Sequence, residues 1–485
     1  MRSIIMKLLE GLSKNEMKRI EYFLQNKYFN TDKAVERLFL YFKKYIKKHH
    51  FKTGLDDALR LKMYNYILPN GAVGTPLDDK QKAYLTAKIA LLTDAVKQFL
   101  MVEALRENET YQHILLHKKL LEKKQFYTLE KSIRKQKRTL DQQSEKGSDY
   151  YFEAMQAEQV ILDFLYQQGK ILKQDNLPEL AFNFDTYYLI QQLEYHLTTL
   201  SLMGASANTK SYDSERFNMV LGLAHLPQYA AHPLIRSYQL AIDMIQHNNG
   251  EAYRDLLDLI AVNKMMIPRN NLIDFYILAA SFCARRTKEG KEEYYRHSFE
   301  IFKIMAREDL LVNNNFIQVS FLKNIISAAC RVGEFEWAKN MLEKYQVFTR
   351  AEVREQTFHF NSAVIEFHQK NYKQVIHHCI RVHSINPTYD VNCRMIELKA
   401  CYELDREYSE ATLQRFDTAI QAVRLHKRLS TQDKKAWGNF LYAAKGLYKI
   451  KHNINKTDAT RLGEKIEGFA SLNDKKWLLE KMNEL

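Results

Sequence analysis

Apolar residues recur at spacings of three and four almost from the start of the chain, the period of an amphipathic helix. Ile5, Leu8, Leu9 and Leu12 share one face, and Met17, Ile20, Phe23 and Leu24 another. Between them, Ser13-Lys-Asn-Glu16 has the form of a capping box, in which hydroxyl and carboxylate satisfy free amides at a new helix start. A third helix follows Asn30-Thr31-Asp32, carried by Val35, Leu38, Phe39, Phe42 and Ile46. Leu85, Ile89, Leu92, Val96, Phe99 and Leu100 predict a long helix from about Lys82 to Arg106. No segment sustains the alternation of a strand, so the expected fold is all-α.

Punctuation is sparse. Leu68 to Leu77 holds two of the seven prolines and two of the fifteen glycines and reads as a loop or hinge. Asp141 to Asp149 and Gly204 to Asp213 read as surface loops. The expected organisation is a basic helical bundle over 1–68, a hinge over 69–79, long helices and degenerate hairpins over 80–203, a loop over 204–213 and a helical solenoid over 214–485. Glycine and proline together make 22 of 485 residues, far below the roughly 12% of average usage. That scarcity of turn residues disfavours all-β and collagen-like chains, and 46% hydrophobic content disfavours disorder.

Repeats decide the architecture. Gly333-Glu-Phe335-Glu-Trp-Ala338-Lys-Asn-Met-Leu342-Glu-Lys-Tyr345 places a turn glycine, an aromatic at a helix crossing and a small residue where two helices approach closely. The stretch resembles the second half of a tetratricopeptide repeat. Asn371, Tyr372, Val375, Cys379 and the terminal Pro387 match a second copy, with Lys370 at the glycine position. Tyr408, Ala411 and Thr418 match a third, with Arg406 at that position. Phe335, Tyr372 and Tyr408 lie 37 and 36 residues apart. Phe126, Leu129 and Ile133 form a degenerate copy upstream, and weaker helix pairs fit around Gly250 to Tyr253 and Tyr294-Tyr295. The likeness is clear over about Phe321 to Val423. The N-terminal Leu12 to Leu24 with Lys27-Tyr-Phe-Asn30 also resembles the opening of a group of helical proteins from Bacteroidota, a likeness that carries no activity with it.

The net charge of +14 is unevenly spread. Residues 1–150 hold 30 Lys/Arg against 18 Asp/Glu, and the remainder 42 against 40. Two clusters stand out: Lys43, Lys44, Lys47 and Lys48, followed by His49 and His50 and interleaved with Tyr41, Phe42 and Tyr45, and the run Arg134, Lys135, Lys137, Arg138. Each reads as a solvated helix face or as an electrostatic surface for a polyanion.

Catalytic signatures are missing. Gly463 and Gly468 have P-loop spacing, but Phe469 stands where lysine is needed. No G-x-G-x-x-G, G-x-S-x-G or H-E-x-x-H string occurs. Cys379 and His383 lie four apart beside His377 and His378, yet no second ligand pair is in reach, so a packing role is expected. The acidic residues, such as Glu292-Glu293, sit beside Lys or Arg as solvated faces do. Neither a metal nor a cofactor is expected, and a small-molecule substrate is disfavoured. Cys283, Cys330, Cys379, Cys393 and Cys401 form an odd set without a C-x-x-C pair, which suggests a reducing compartment. The N-terminus lacks the apolar core of a signal peptide, and the best apolar run, Leu272 to Cys283, is too short for a membrane and contains Asp274. A cytoplasmic protein without membrane insertion is expected.

The repeat resemblance implies stacked hairpins whose first helices line a groove that binds a protein or peptide. Lys323, Asn361 and Glu397 are the expected groove positions. The family's clamp for a terminal carboxylate is not reproduced, because Ser327, Cys393 and Glu397 stand where Asn, Lys and Arg are required. The leading expectation is a non-catalytic adaptor or scaffold. The second is nucleic-acid or ribonucleoprotein binding through the basic N-terminal third.

Overall fold

A computed structural model describes residues 4–48, 56–68, 73–74, 76–170, 176–203, 214–382, 387–427, 429–454 and 458–485. The loop expected over 204–213, and residues 69–72 and 75 of the expected hinge, lie outside these residues, as do His49, His50 and His383. Every regular element among them is a helix, with one isolated bridge between Asn313 and Phe316. The chain forms two compact units, Met1–Gln143 with Asp149–Asp185, and Ser144–Ser148 with Thr186–Leu485.

In the first unit, α1 (Ile4–Glu10), α2 (Lys14–Gln25), α3 (Lys33–Lys48) and α4 (Asp57–Ile67) all pack on α5 (Asp79–Glu107). Ile5, Leu24, Phe39, Phe42, Met63 and Phe99 make their common core. The Ser13 capping box opens α2, with Ser13 Oγ 3.2 Å from the Glu16 amide and Glu16 Oε2 2.7 Å from the Ser13 amide. A second box, Asp78 with Gln81, starts α5 earlier than its apolar stripe alone suggests. The hairpin α6 (Glu109–Glu122) and α7 (Phe126–Gln142) follows, then α8 (Ser148–Gln167) and α9 (Leu177–Met203), within which the second unit begins.

The second unit opens with α10 (Ser214–Ala224) and the single turn α11 (Pro227–Ala230). Hairpins follow in series: α12 (Pro233–Gln246) with α13 (Gly250–Asn263), α14 (Arg269–Lys288) with α15 (Glu293–Arg307), and α16 (Val319–Arg331) with α17 (Phe335–Tyr345). Next come α18 (Arg354–His368) with α19 (Tyr372–Cys379), α20 (Pro387–Leu404) with α21 (Glu410–Leu425), and α22 (Thr431–Lys451) ahead of α23 (Ala459–Gly468) and α24 (Lys475–Asn483). First helices also pack on first helices, α12 on α14, α16 on α18 and α18 on α20. This is the stacking of an α-solenoid, in which each hairpin buries its apolar face against its neighbours.

One turn leads in the same way into three helices that open on an aromatic. The amides of Gln125, Glu334 and Asn371 each reach back five residues, to the carbonyls of Leu120, Ala329 and Glu366. The residue before each is left-handed: Lys124 (φ 54°), Gly333 (φ 85°) and Lys370 (φ 63°). This is the Schellman closure of a helix C-terminus. Gln125, Glu334 and Asn371 then share one conformation, φ/ψ of −83/58°, −87/59° and −86/58°, and launch helices that begin with Phe126, Phe335 and Tyr372. Only Gly333 holds its φ without a Cβ penalty. Lys370→Gly should therefore raise the chemical-denaturation midpoint, by about 1 kcal/mol of stability at most, because the left-handed lysine is strained while glycine adds backbone entropy to the unfolded chain.

Buried positions give the repeat length. Ala338, Val375 and Thr412 are 0%, 0% and 5% exposed and lie 37 residues apart, as do the buried Leu342, Cys379 and Phe416 behind them. The third copy thus runs one residue later than the sequence suggests. Tyr408 is 44% exposed in the preceding turn, and Ala411 is exposed on α21. The cause is Ser409, whose Oγ accepts the Thr412 amide and fixes the helix start at Glu410. Arg406 does not take up the left-handed turn. Tyr448 replaces it, its hydroxyl accepting the Ser409 amide at 3.0 Å and donating to Asp405 at 2.7 Å. Pro387 opens α20, where its missing N–H is harmless; its side chain lies outside the described residues.

Candidate functional site

The three positions expected in a groove do not present an open polar face. Asn361 is fully buried on α18, where its Nδ2 donates to the Thr357 carbonyl at 2.8 Å. Its helix is flanked by α16, α17, α19 and α20, so a side chain that repeat geometry alone would expose is enclosed. Glu397 on α20 is half-buried and accepts a hydrogen bond from Arg415 at 2.7 Å. Lys323 on α16 is half-buried as well. Asn361 is an interior polar group, and its replacement is a core substitution rather than a surface one.

A cleft of about 300 Å³ lies elsewhere in the same unit, lined by Glu292, Tyr295, Arg296, Arg331, Val332, His368, Lys476 and Glu480. Repeat geometry builds it. Arg331 and His368 end α16 and α18, lie 37 residues apart, and each stands two residues before a left-handed turn residue. The Arg331 charge, in the last turn of α16, also meets the negative end of the helix dipole. Arg331 lies over the Tyr295 ring, 5.5 Å from its centroid, and its Nη2 is 3.7 Å from Asp474 Oδ1. Lys476 bridges to Glu292 at 2.5 Å, and Arg296 stands 3.7 Å from Glu334.

Behind the cleft is an ion pair between a buried lysine and a half-buried aspartate. Lys399, 7% exposed, places Nζ 2.5 Å from Asp474 Oδ2. The ammonium lies 5.3 to 5.7 Å from the ring centroids of Trp477, Phe440 and Phe367, a cation–π enclosure. Burial by itself would raise the Asp474 carboxyl, but the Lys399 charge and hydrogen bond, with Arg331, outweigh it and hold the carboxyl below its ordinary range. Burial first, then the Arg331 and Lys399 charges, pushes His368 down to about 4. The cleft therefore presents a neutral imidazole among fixed charges at neutral pH. Among the described residues, no serine, threonine or cysteine lines it.

Polar networks elsewhere are interior. Glu153 on α8 is 7% exposed and receives hydrogen bonds from Thr110 and Gln136, with His113 Nδ1 3.1 Å away. Burial raises its carboxyl, and these partners more than reverse that. His117, 1% exposed, pairs with Ser132 Oγ at 2.8 Å, and burial pushes it to about 4. The Ser–His contact has the form of a nucleophile–base pair, with the histidine buried and the serine half-buried. In the histidine-rich turn, Cys379 Sγ is 3.7 Å from the Cys393 carbonyl, and His378 faces His359 at 3.0 Å. Among the described residues no group of three His, Cys, Asp or Glu is arranged to hold a metal, and no helix is long and apolar enough to cross a membrane.

The basic clusters are only partly outward. Lys43 forms an ion pair with Glu21, and Lys44 bonds the Tyr66 hydroxyl at 3.2 Å. The side chains of Lys47 and Lys48 lie outside the described residues. Lys137 turns inward to neutralise Glu158, which is 1% exposed, with Glu179 at 3.6 Å. It is a structural cation, whereas Arg134, Lys135 and Arg138 stay exposed. Comparison of the chain with protein-family models, with curated proteins and with solved structures finds no match.

Proposed function

We propose that the protein is a non-catalytic scaffold whose second unit holds a carboxylate-bearing segment of a partner protein in the Arg331 cleft. Arg331 carries this reading. Stacked on Tyr295 and tethered near Asp474, its guanidinium keeps a fixed orientation while 39% of the side chain stays exposed. A planar fork held in that way has less rotamer entropy to lose when it takes a carboxylate in two parallel hydrogen bonds. Arg296 and Lys476, each more than half exposed, stand at the rim beside Glu334 and Glu292, which leaves Arg331 as the cation directed at a ligand. Stacked hairpins are a general platform for protein contacts, which supports binding. The five cysteines are all free and buried, which supports a reducing, cytoplasmic setting.

The test is retention of a partner by the parent and by Arg331→Glu/Lys476→Glu in the native host. The reversed charges face Asp474 and Glu292 and so cost some stability; retention is therefore compared below the melting range of both proteins, where the variant should lose the partner. Equal retention by both proteins would place the binding surface elsewhere.

A further inference from the structure

The hairpin α6–α7 carries the densest positive charge in the described chain, nine Lys/Arg against two Asp/Glu over residues 118–138. Its helices sort their side chains sharply. Leu129, Ile133, Gln136 and Leu140 are buried on the inner face of α7, and Lys137 is committed to Glu158. The opposite face presents Tyr127, Lys131, Arg134, Lys135 and Arg138, all exposed, at the three- and four-residue spacings that align side chains along a helix. Arg134 pairs with Glu130 at 2.5 Å, while Lys131, Lys135 and Arg138 have no acidic partner among the described residues. Tyr127, 80% exposed, heads the stripe. At the turn leading into α7, Lys123 and Lys124 are exposed as well.

We infer that this outward face of α7 binds single-stranded nucleic acid, independently of the Arg331 cleft. From Tyr127 to Arg138 the stripe runs about 16 Å along the helix, long enough to meet several successive phosphates of one strand. Its cations contact phosphates, a sequence-independent interaction. The exposed tyrosine ring is a stacking platform for an unpaired base, which a duplex does not offer. An anionic membrane surface calls for apolar side chains inserted beside the cations, and Tyr127 is the one aromatic or aliphatic group on this stripe.

The full-length protein is to be titrated into fluorescein-labelled single strands of mixed sequence, as RNA and as DNA, into the matching duplexes, and into vesicles of phosphatidylcholine with phosphatidylserine. Single strands of one or both sugars should bind, with log affinity falling against log salt by about 0.7 per phosphate contacted. K131Q/R134Q/K135Q/R138Q should weaken binding at least about tenfold at low salt and flatten that slope by about two to three. Tyr127→Ala should weaken single-strand binding about tenfold and leave duplex binding unchanged; this single exposed change also decides the matter should the quadruple variant misfold. Arg331→Glu should bind the strands as the parent does, which separates this surface from the cleft. No binding at low salt, undiminished binding by the Tyr127 and quadruple variants, or preference for the vesicles would overturn the inference.

Discussion

Lys399→Met should destabilise the protein by about 3 kcal/mol in chemical denaturation followed by helical circular dichroism. Methionine fills the lysine's place among Phe367, Phe440 and Trp477, so packing is nearly kept, but Asp474 loses the ammonium 2.5 Å away. Removing one member of a buried pair typically costs about 3–5 kcal/mol. The lower end applies because the Asp474 side chain is 32% exposed and keeps Arg331 at 3.7 Å. Asp474→Asn in the same background should recover most of the loss, since asparagine tolerates the left-handed φ of 48° and carries no charge. Strictly additive losses would show that the two groups do not act as a pair. The pH dependence has a defined sign. A carboxyl held below its ordinary range gives stability that is full above the unfolded value, about pH 3.9, and is lost as pH falls through the folded one. Lys399→Met should diminish that acid-dependent part.

The second large effect tests the repeat register. Ala338→Phe should lower stability by about 1–3 kcal/mol, because a fully buried small residue at a helix crossing has no room for a ring. Ala411→Phe should change it by less than about 0.5 kcal/mol, since that residue is exposed. The register read from sequence makes the two alanines equivalent, whereas the 37-residue spacing of buried positions makes Thr412 the counterpart of Ala338. Similar denaturation midpoints for the two variants would contradict the shifted register.

These variants mark where local sequence information ends. The helical period, the Ser13 capping box and the packing of Ala338, Val375 and Cys379 are legible because each depends on residues within one hairpin. The third copy misleads because Ser409 sets the helix start and Tyr448, 39 residues away, supplies the bond that replaces the left-handed turn. Asn361 misleads because neighbouring first helices cover its face, and Lys137 because its partner, Glu158, lies on another helix. The cleft is the least legible feature, since Glu292 and Lys476 meet across 184 residues. Arg331 and His368 carried a usable signal all the same: both close a first helix, one repeat apart.

The scaffold reading is tested most directly by whether the second unit distinguishes a carboxylate from its neutral amide through Arg331. Fluorescence-anisotropy titration of a labelled peptide pool rich in Asp and Glu, beside the same pool carrying Asn and Gln, measures this on the full-length protein. The acidic pool should bind, with affinity reduced about tenfold or more both by amidation of the pool and by Arg331→Gln. Equal affinity for the two pools, or acidic-pool binding untouched by Arg331→Gln, would contradict it.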